Sequence, residues 1–224
     1  MTAFLKGVIV HLLYCLSIDF FIRALYNKTN QEKGAKAMKL YLVRHGESET
    51  NKQGCWTGWL DVPLTEKGER DALFAKKVLE GITFDKVYVS DLMRAKRTAE
   101  IALGDVEYEE TPLLREIHLG TLAGKPNSTF TEEIQKKAIN EGYAEFGGES
   151  TDDFAKRIWE FVRPLENSGY ETVAAFAHAG VLRGLLYEII GARLYGKHVL
   201  CDNCMVAVFE YTKGTWRLHS WINP

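Results

Sequence analysis

The chain is sparing in the residues and patterns that mark specialised proteins. Its four cysteines, Cys15, Cys55, Cys201 and Cys204, are too few for a disulfide scaffold and fit a reducing compartment, so a cytoplasmic location is expected. Only five prolines occur in 224 residues, and no low-complexity tract, which excludes collagen-like and disordered classes. With 28 Lys+Arg against 30 Asp+Glu there is no basic surplus for a broad nucleic-acid surface. Any anion site must therefore be a local cluster of cations. His11, His118, His198 and His219 show no metal-ligand spacing such as His-Glu-x-x-His, so no metal or other cofactor is expected. Nor does any Gly-x-x-x-x-Gly-Lys-Ser/Thr run support a nucleoside triphosphatase.

Long apolar runs are also missing. The uncharged stretch between Lys6 and Asp19 is 12 residues, short of the roughly 20 needed to span a bilayer. Residues 1–37 differ from the rest, with five cations (Lys6, Arg23, Lys28, Lys33, Lys36) and two anions (Asp19, Glu32) in a chain whose net charge is −2. Three readings fit this segment. A cleaved signal is disfavoured, because Ala35-Lys36-Ala37 lies far downstream of the apolar stretch. An interfacial helix with Lys6, Asp19 and Arg23 on one side is the only route to membrane contact. The preferred reading is a mis-called extension, with a catalytic domain spanning 38–224, because a buried strand begins directly after Met38.

What is present is an average globular composition, 46% apolar and 26% charged, arranged as alternating strands and helices. Residues 39–43 (Lys-Leu-Tyr-Leu-Val) form a short β-rich run ending at Arg44-His45-Gly46. Thr65 is positioned to cap a helix over 66–79 that Gly81 ends. A strand over 86–89 leads to Ser90 or Asp91 as the cap of a helix reaching Leu103, followed by an extended segment over 106–111. Helices are expected over 131–141 and 151–166, with a glycine-broken loop over 146–150 between them. The strand at 172–177 runs into His178-Ala179-Gly180 and a helix to about Ile190. Two final β runs, 205–211 and 216–222, join at Lys213-Gly214 as a hairpin. Trp216 and Trp221 belong to that sheet. The pattern predicts an α/β fold, three-layer α/β/α, with a mostly parallel central sheet.

Three strand-to-helix junctions carry groups suited to an anion: Arg44-His45-Gly46, Arg94 after Ser90, and His178. In open α/β sheets the ligand lies beyond the carboxyl ends of the strands. Arg44, His45, Arg94 and His178 are thus expected to converge. Two guanidiniums match phosphoryl oxygens, and helix N-termini add N–H donors. The expected ligand is a phosphate monoester, as a small phosphorylated metabolite.

The run Leu42-Val43-Arg44-His45-Gly46-Glu47-Ser48, with Asn51 following, resembles the signature of the histidine phosphatase superfamily, also called the phosphoglycerate mutase-like family. The similarity continues through Gly58-Trp59, Asp61 to Gly68, Ser90 to Ala99, Leu114-Arg115-Glu116-Ile117 with Gly120, and Ala177-His178-Ala179-Gly180. The resemblance implies a phosphoglycerate mutase-like fold and assigns His45 as the nucleophile that becomes phosphohistidine. It makes Arg44, Arg94 and His178 the oxyanion clamp and Glu116 the general acid, and places Asn51, Thr57, Gly58 and Ala179 in the phosphate-binding pocket. The other reading of Glu116 is a salt bridge to Arg115 or Lys125.

Mutases of that family carry an insertion with paired arginines after the acidic motif. Here the segment 124–148 holds only Lys125, Lys136 and Lys137 as cations, too little for a bisphosphate cofactor. The expected activity is therefore metal-independent hydrolysis of a phosphomonoester, with phosphoglycerate mutase as the alternative and a non-catalytic phospholigand-binding module behind it. Segment 124–148 is expected to form a lid, with Phe130, Tyr143 and Phe146 either lining an apolar pocket or packing a short helix. Gly120 is followed by Thr121-Leu122-Ala123-Gly124 where many members have an aromatic residue and a glutamate, a change expected to alter the lid. Cys201 and Cys204 read as two unremarkable loop thiols. Oligomeric state is not legible.

Overall fold

The computed structural model describes residues 37–193 and 198–224. Residues 1–36, including Cys15 and nearly all of the proposed extension, lie outside the described residues. Six strands, β1 (Met38–Arg44), β2 (Lys86–Ser90), β3 (Glu109–Thr111), β4 (Thr172–Ala177), β5 (Val206–Thr212) and β6 (Thr215–Ile222), form one sheet in the order β3-β2-β4-β1-β5-β6. The first four strands of that order run parallel, and β5 and β6 add antiparallel pairings.

The pleat sorts the core into two sides. Leu40, Leu42, Val173, Ala175, Ala177, Ala207 and Phe209 face one side. There they meet Phe154, Ile158, Phe161 and Leu165 of helix α5 (Thr151–Leu165) and Val181, Leu182 and Leu185 of helix α6 (Ala179–Ile190). Val43, Val87, Val89, Ala174, Phe176, Val206 and Val208 face the other, where α2 (Glu66–Leu79) and α3 (Met93–Leu103) pack through their alanines. Period-2 strands between amphipathic helices give the expected three layers. Two further helices, α1 (Glu49–Lys52) and α4 (Glu132–Glu141), lie in the connections. Among the described residues no helix is long and apolar enough to cross a membrane.

Most element boundaries match the sequence expectations, including the Thr65 cap, whose side chain accepts from Gly68 N–H. The hairpin turns at Lys213 and Gly214, both with positive φ (51° and 75°), as a two-residue primed turn requires. The cap of α3 differs. Neither Ser90 nor Asp91 caps it; the N-cap is Leu92, and Asp61 Oδ1, from a distant loop, accepts from Met93 N–H at 2.8 Å. Asp91 is instead engaged by Arg115 through two bonds of 2.8 and 2.6 Å. Ser90 keeps its hydroxyl for a partner in the site.

The loop after β1 is pressed against the first turn of α2. A Cβ on Gly68 would run into the Glu47 carbonyl, and one on Gly46 into the Gly68 carbonyl. In an open helix Gly→Ala gains about 1 kcal/mol. Here the sign reverses: Gly68→Ala is expected to lower stability by about 1–3 kcal/mol in denaturant unfolding, and a gain would refute the close packing.

Candidate active site

The sheet register builds the site. Arg44 pairs with Ala177, and Val89 pairs with Phe176, so the carboxyl ends of β1, β4 and β2 lie side by side. The next residues, His45 and His178, follow on adjacent strands, with His45 N–H donating to Ala177 O at 3.0 Å and the two rings 5.0 Å apart. Arg94, on the first turn of α3 after β2, completes the group. Arg94 and His178 are fully buried and His45 is 3% exposed.

Each of these side chains is held on one edge and open on another. His45 Nδ1 donates to the Gly46 carbonyl at 2.6 Å, which fixes the tautomer and leaves the Nε2 lone pair free. His178 Nε2 contacts Ser90 Oγ at 2.9 Å, while its Nδ1 has no partner among the described residues. Arg94 donates from Nη1 to Leu60 O (2.7 Å) and from Nη2 to Gly58 O (2.8 Å), with Nε unpartnered. Arg44 Nη1 donates to Cys201 O, and its Nε is likewise unpartnered. Buried polar atoms are nearly always satisfied. Three orphaned atoms in one cluster mark a place prepared for an oxyanion.

The electrostatics point the same way. Burial, then the charges of Arg94 and Arg44, hold His45 well below the usual imidazole range. Burial and the same arginines, together with His45, depress His178. Both rings are therefore neutral at pH 7. Burial also lowers Arg44, and brings Arg94 down to about 10.

Glu116 lies beyond this cluster, in the loop after β3. Its Oε1 accepts from Ile117 N–H (2.9 Å) and its Oε2 from Gly180 N–H (3.1 Å) at the start of α6. No salt bridge to Arg115 or Lys125 forms among the described residues, since Arg115 is committed to Asp91. A Cβ on Gly180 would strike Glu116 Oε1, so glycine there admits the carboxylate. A cavity of about 530 Å³ is lined by Arg44, His45, Asn51, Thr57, Gly58, Arg94, Glu116 and Ala179. His178 sits behind that surface rather than on it. Asn51 Oδ1 accepts from Ser48 N–H at 3.2 Å in the cap of α1, and Thr57 Oγ1 lies 2.5 Å from Thr50 Oγ1. Gly58 serves Arg94 through its carbonyl.

The lid expectation divides. Tyr143, Ala138 and Ile139 line the cavity with Leu119 and Trp56. Phe130 instead stacks under Trp56, with ring centroids 3.7 Å apart, in a small core with Leu119, Leu122 and Tyr143, and Phe146 packs against that core. Cys201 and Cys204 are buried free thiols in the loop before β5; burial pushes Cys204 up to about 12. Cys204 is therefore inert as a thiolate, although the Cys201 carbonyl anchors Arg44. Among the described residues no group of three or more His, Cys, Asp or Glu is placed to hold a metal ion.

Several site residues were not legible in the sequence. Arg157 of α5 donates to both Glu149 oxygens (2.8 and 2.7 Å) and to the carbonyls of Leu113, Arg115 and Glu116, clamping the loop that carries Glu116. Asn203 Nδ2 donates to the His45 carbonyl at 3.0 Å. Arg183 and Arg193 line the cavity. The scarcity of cations noted for 124–148 therefore does not extend to the whole cavity. A lone arginine on an amphipathic helix carries no local signal of such a role.

A strand-end pocket with two neutral histidines between buried arginines defines an oxyanion site of the α/β class. The chain belongs to the histidine phosphatase superfamily (branch 1), whose family model matches residues 40–224. It is 36% identical over 168 residues to a 2,3-bisphosphoglycerate-dependent phosphoglycerate mutase of Bartonella henselae, covering 68% of this chain and 81% of that protein. Among solved structures it is similar to TTHB049 of Thermus thermophilus (31% identity, TM-score 0.68, 84% of this chain and 100% of that one). It also resembles a variant of a phosphoserine phosphatase of Entamoeba histolytica in complex with phosphoserine (25% identity, TM-score 0.72, 83% and 97%). The family assignment and the phosphoglycerate mutase-like fold expected from the motifs hold.

The depressed histidines make stability pH-dependent. Below about pH 6.5 the unfolded chain binds protons that native His45 and His178 refuse, so their contribution is full above that pH and is lost as pH falls. The melting temperature is expected to drop between about pH 7.5 and pH 5.5, and less steeply in a His45→Asn/His178→Asn double variant. Equal slopes would contradict neutral buried imidazoles.

Proposed function

We propose that the protein is a phosphomonoester hydrolase that acts on a small phosphorylated metabolite through a phosphohistidine at His45. The observation that carries this reading is the set of unpartnered atoms at Arg44 Nε, Arg94 Nε and His178 Nδ1 around a histidine whose Nε2 lone pair is free. With Ser90 Oγ–H donating to His178 Nε2, His178 presents Nδ1–H to a phosphoryl oxygen. A neutral imidazole attacks phosphorus without first losing a proton, and the covalent intermediate divides one hard displacement into two. The N–P bond forms at His45 Nε2 as the P–O bond to the alcohol breaks. Glu116 acts as the general acid, giving a proton to the departing oxygen. Water then attacks phosphorus, Glu116 takes its proton, the N–P bond breaks, and inorganic phosphate leaves. Arg44 and Arg94 neutralise charge on the equatorial oxygens throughout. Their fixed positive charge does the work a divalent cation does elsewhere, which supports a metal-independent reaction.

Phosphoglycerate mutase is the second reading, favoured by the similarity to bisphosphoglycerate-dependent mutases and by Arg183 and Arg193 on the cavity wall. Incubation with 3-phosphoglycerate, with and without 2,3-bisphosphoglycerate, separates the two. A hydrolase releases inorganic phosphate, whereas rapid isomerisation without release would overturn it.

His45→Ala is expected to abolish p-nitrophenyl phosphate hydrolysis, and retained turnover would mean another nucleophile. Glu116→Gln should slow hydrolysis of alkyl phosphates by about 10²–10⁴-fold. It should slow p-nitrophenyl phosphate far less, because nitrophenolate leaves without a proton. Equal losses on both substrates would remove Glu116 from the acid role.

A further inference from the structure

The cavity is larger than phosphoryl chemistry requires, and its far side is built of two unlike edges. Along α6, residues Ala179, Gly180, Arg183, Gly184, Tyr187 and Glu188 all line it. At 1.5 Å per residue that stripe runs about 13 Å from the phosphate end. Ile139, Phe154, Ala155 and Ile158 with Leu119 add apolar lining, Phe154 and Ile158 lying against the stripe at Gly180 and Gly184. Two groups on the polar stripe are uncommitted. Arg183 Nε donates to Val199 O at 3.2 Å, and its two Nη groups have no partner among the described residues. Tyr187, one helical turn on, has a buried hydroxyl with no partner among the described residues. The two side chains are neighbours, and the Arg183 charge also reaches Arg44 on the other side. The other charges on this wall are committed: Glu188 accepts from Trp159 Nε1 at 3.2 Å, and Arg193 pairs with Asp152 at 3.0 Å.

An open guanidinium edge, which only donates, beside a phenolic O–H, which is able to donate, complements a planar carboxylate. Arg183 is the one cation on this stripe, and the Glu188 carboxylate lies on the same stripe, which favours a singly charged carboxylate over a second phosphoryl dianion. We propose that Arg183 and Tyr187 form a carboxylate subsite, so that the preferred substrates are phosphomonoesters whose leaving alcohol combines an aromatic or branched apolar body, seated on Ile139, Phe154 and Ile158, with a carboxylate facing α6.

This rests on the hydrolase reading, and the test separates the two. Phenyl phosphate and 3-carboxyphenyl phosphate are compared as substrates of the full-length protein. The wild type should show at least a tenfold higher kcat/KM for the carboxylated ester. In Tyr187→Phe and in Arg183→Met that ratio should fall toward one, and Arg183→Lys should restore part of it. Tyr187→Phe leaves the Arg183–Val199 contact in place, so its loss of preference is not a loop effect. A wild-type ratio near one, or a ratio unchanged in both variants, would overturn the subsite. If neither ester is hydrolysed, the hydrolase reading fails by itself. The subsite is then judged by calorimetric binding of the same two esters to His45→Ala, with the same tenfold preference expected and the same loss in Tyr187→Phe; equal binding of the two would overturn it.

Discussion

Two guanidinium groups are buried at the end of a parallel sheet with no carboxylate in salt-bridge contact among the described residues, and the rest of the site is arranged around that fact. Removing an unpaired cation from water costs several kcal/mol even after relaxation. Arg44 and Arg94 bear that cost with backbone carbonyls alone, from Cys201, Gly58 and Leu60, so each keeps its charge and an unsatisfied Nε–H. A carboxylate in their place would satisfy them and close the site. On the proposed reading, a phosphoryl dianion meets the same donors and leaves again. Local instability of this kind is characteristic of functional sites, where stability is given up for binding.

The same cations prepare the chemistry. By depressing His45 and His178 they keep both rings neutral, His45 with its Nε2 lone pair free and His178 with Nδ1 unpartnered among the described residues. The polarity of the His45 ring is set by the Gly46 carbonyl, which only accepts, on Nδ1, and the His178 ring is held at Nε2 by the Ser90 hydroxyl. These contacts exist because β1, β4 and β2 are neighbours in the sheet though distant in the chain. On the far wall Arg157 does the equivalent work for Glu116, bonding three carbonyls of its loop while paired with Glu149.

Much of this was legible in the residues. The runs at 39–43 and 172–177 are strands because they are short, apolar and β-rich, and each stops where a charged or polar residue begins. The convergence of Arg44, His45, Arg94 and His178 followed from their common position at strand ends, since parallel strands deliver those ends to one edge. What escaped were features decided by distant chain segments. Asp61 caps α3 from over 30 residues away, and no local pattern distinguishes it from Asp91. Arg157 and Arg183 look like ordinary polar positions on amphipathic helices; only the packing of α5 and α6 against the loops turns them inward. For Phe130 and Phe146 the sequence left two alternatives, pocket lining or the packing of a short helix, and both residues pack in or against the small core with Trp56 and Tyr143.

Phosphatase and mutase relatives share one scaffold, which fits the proposal of a phosphohistidine whose surroundings decide what receives the phosphoryl group. The central claim is the covalent step at His45. Its most direct measurement is rapid acid-free quenching of the protein with a phosphomonoester, followed by peptide mass spectrometry. The account predicts one added phosphoryl group on the peptide containing His45, stable to base and lost on brief acid treatment. A phosphoryl group on another residue, or turnover with no phosphorylated protein at any time, would contradict it.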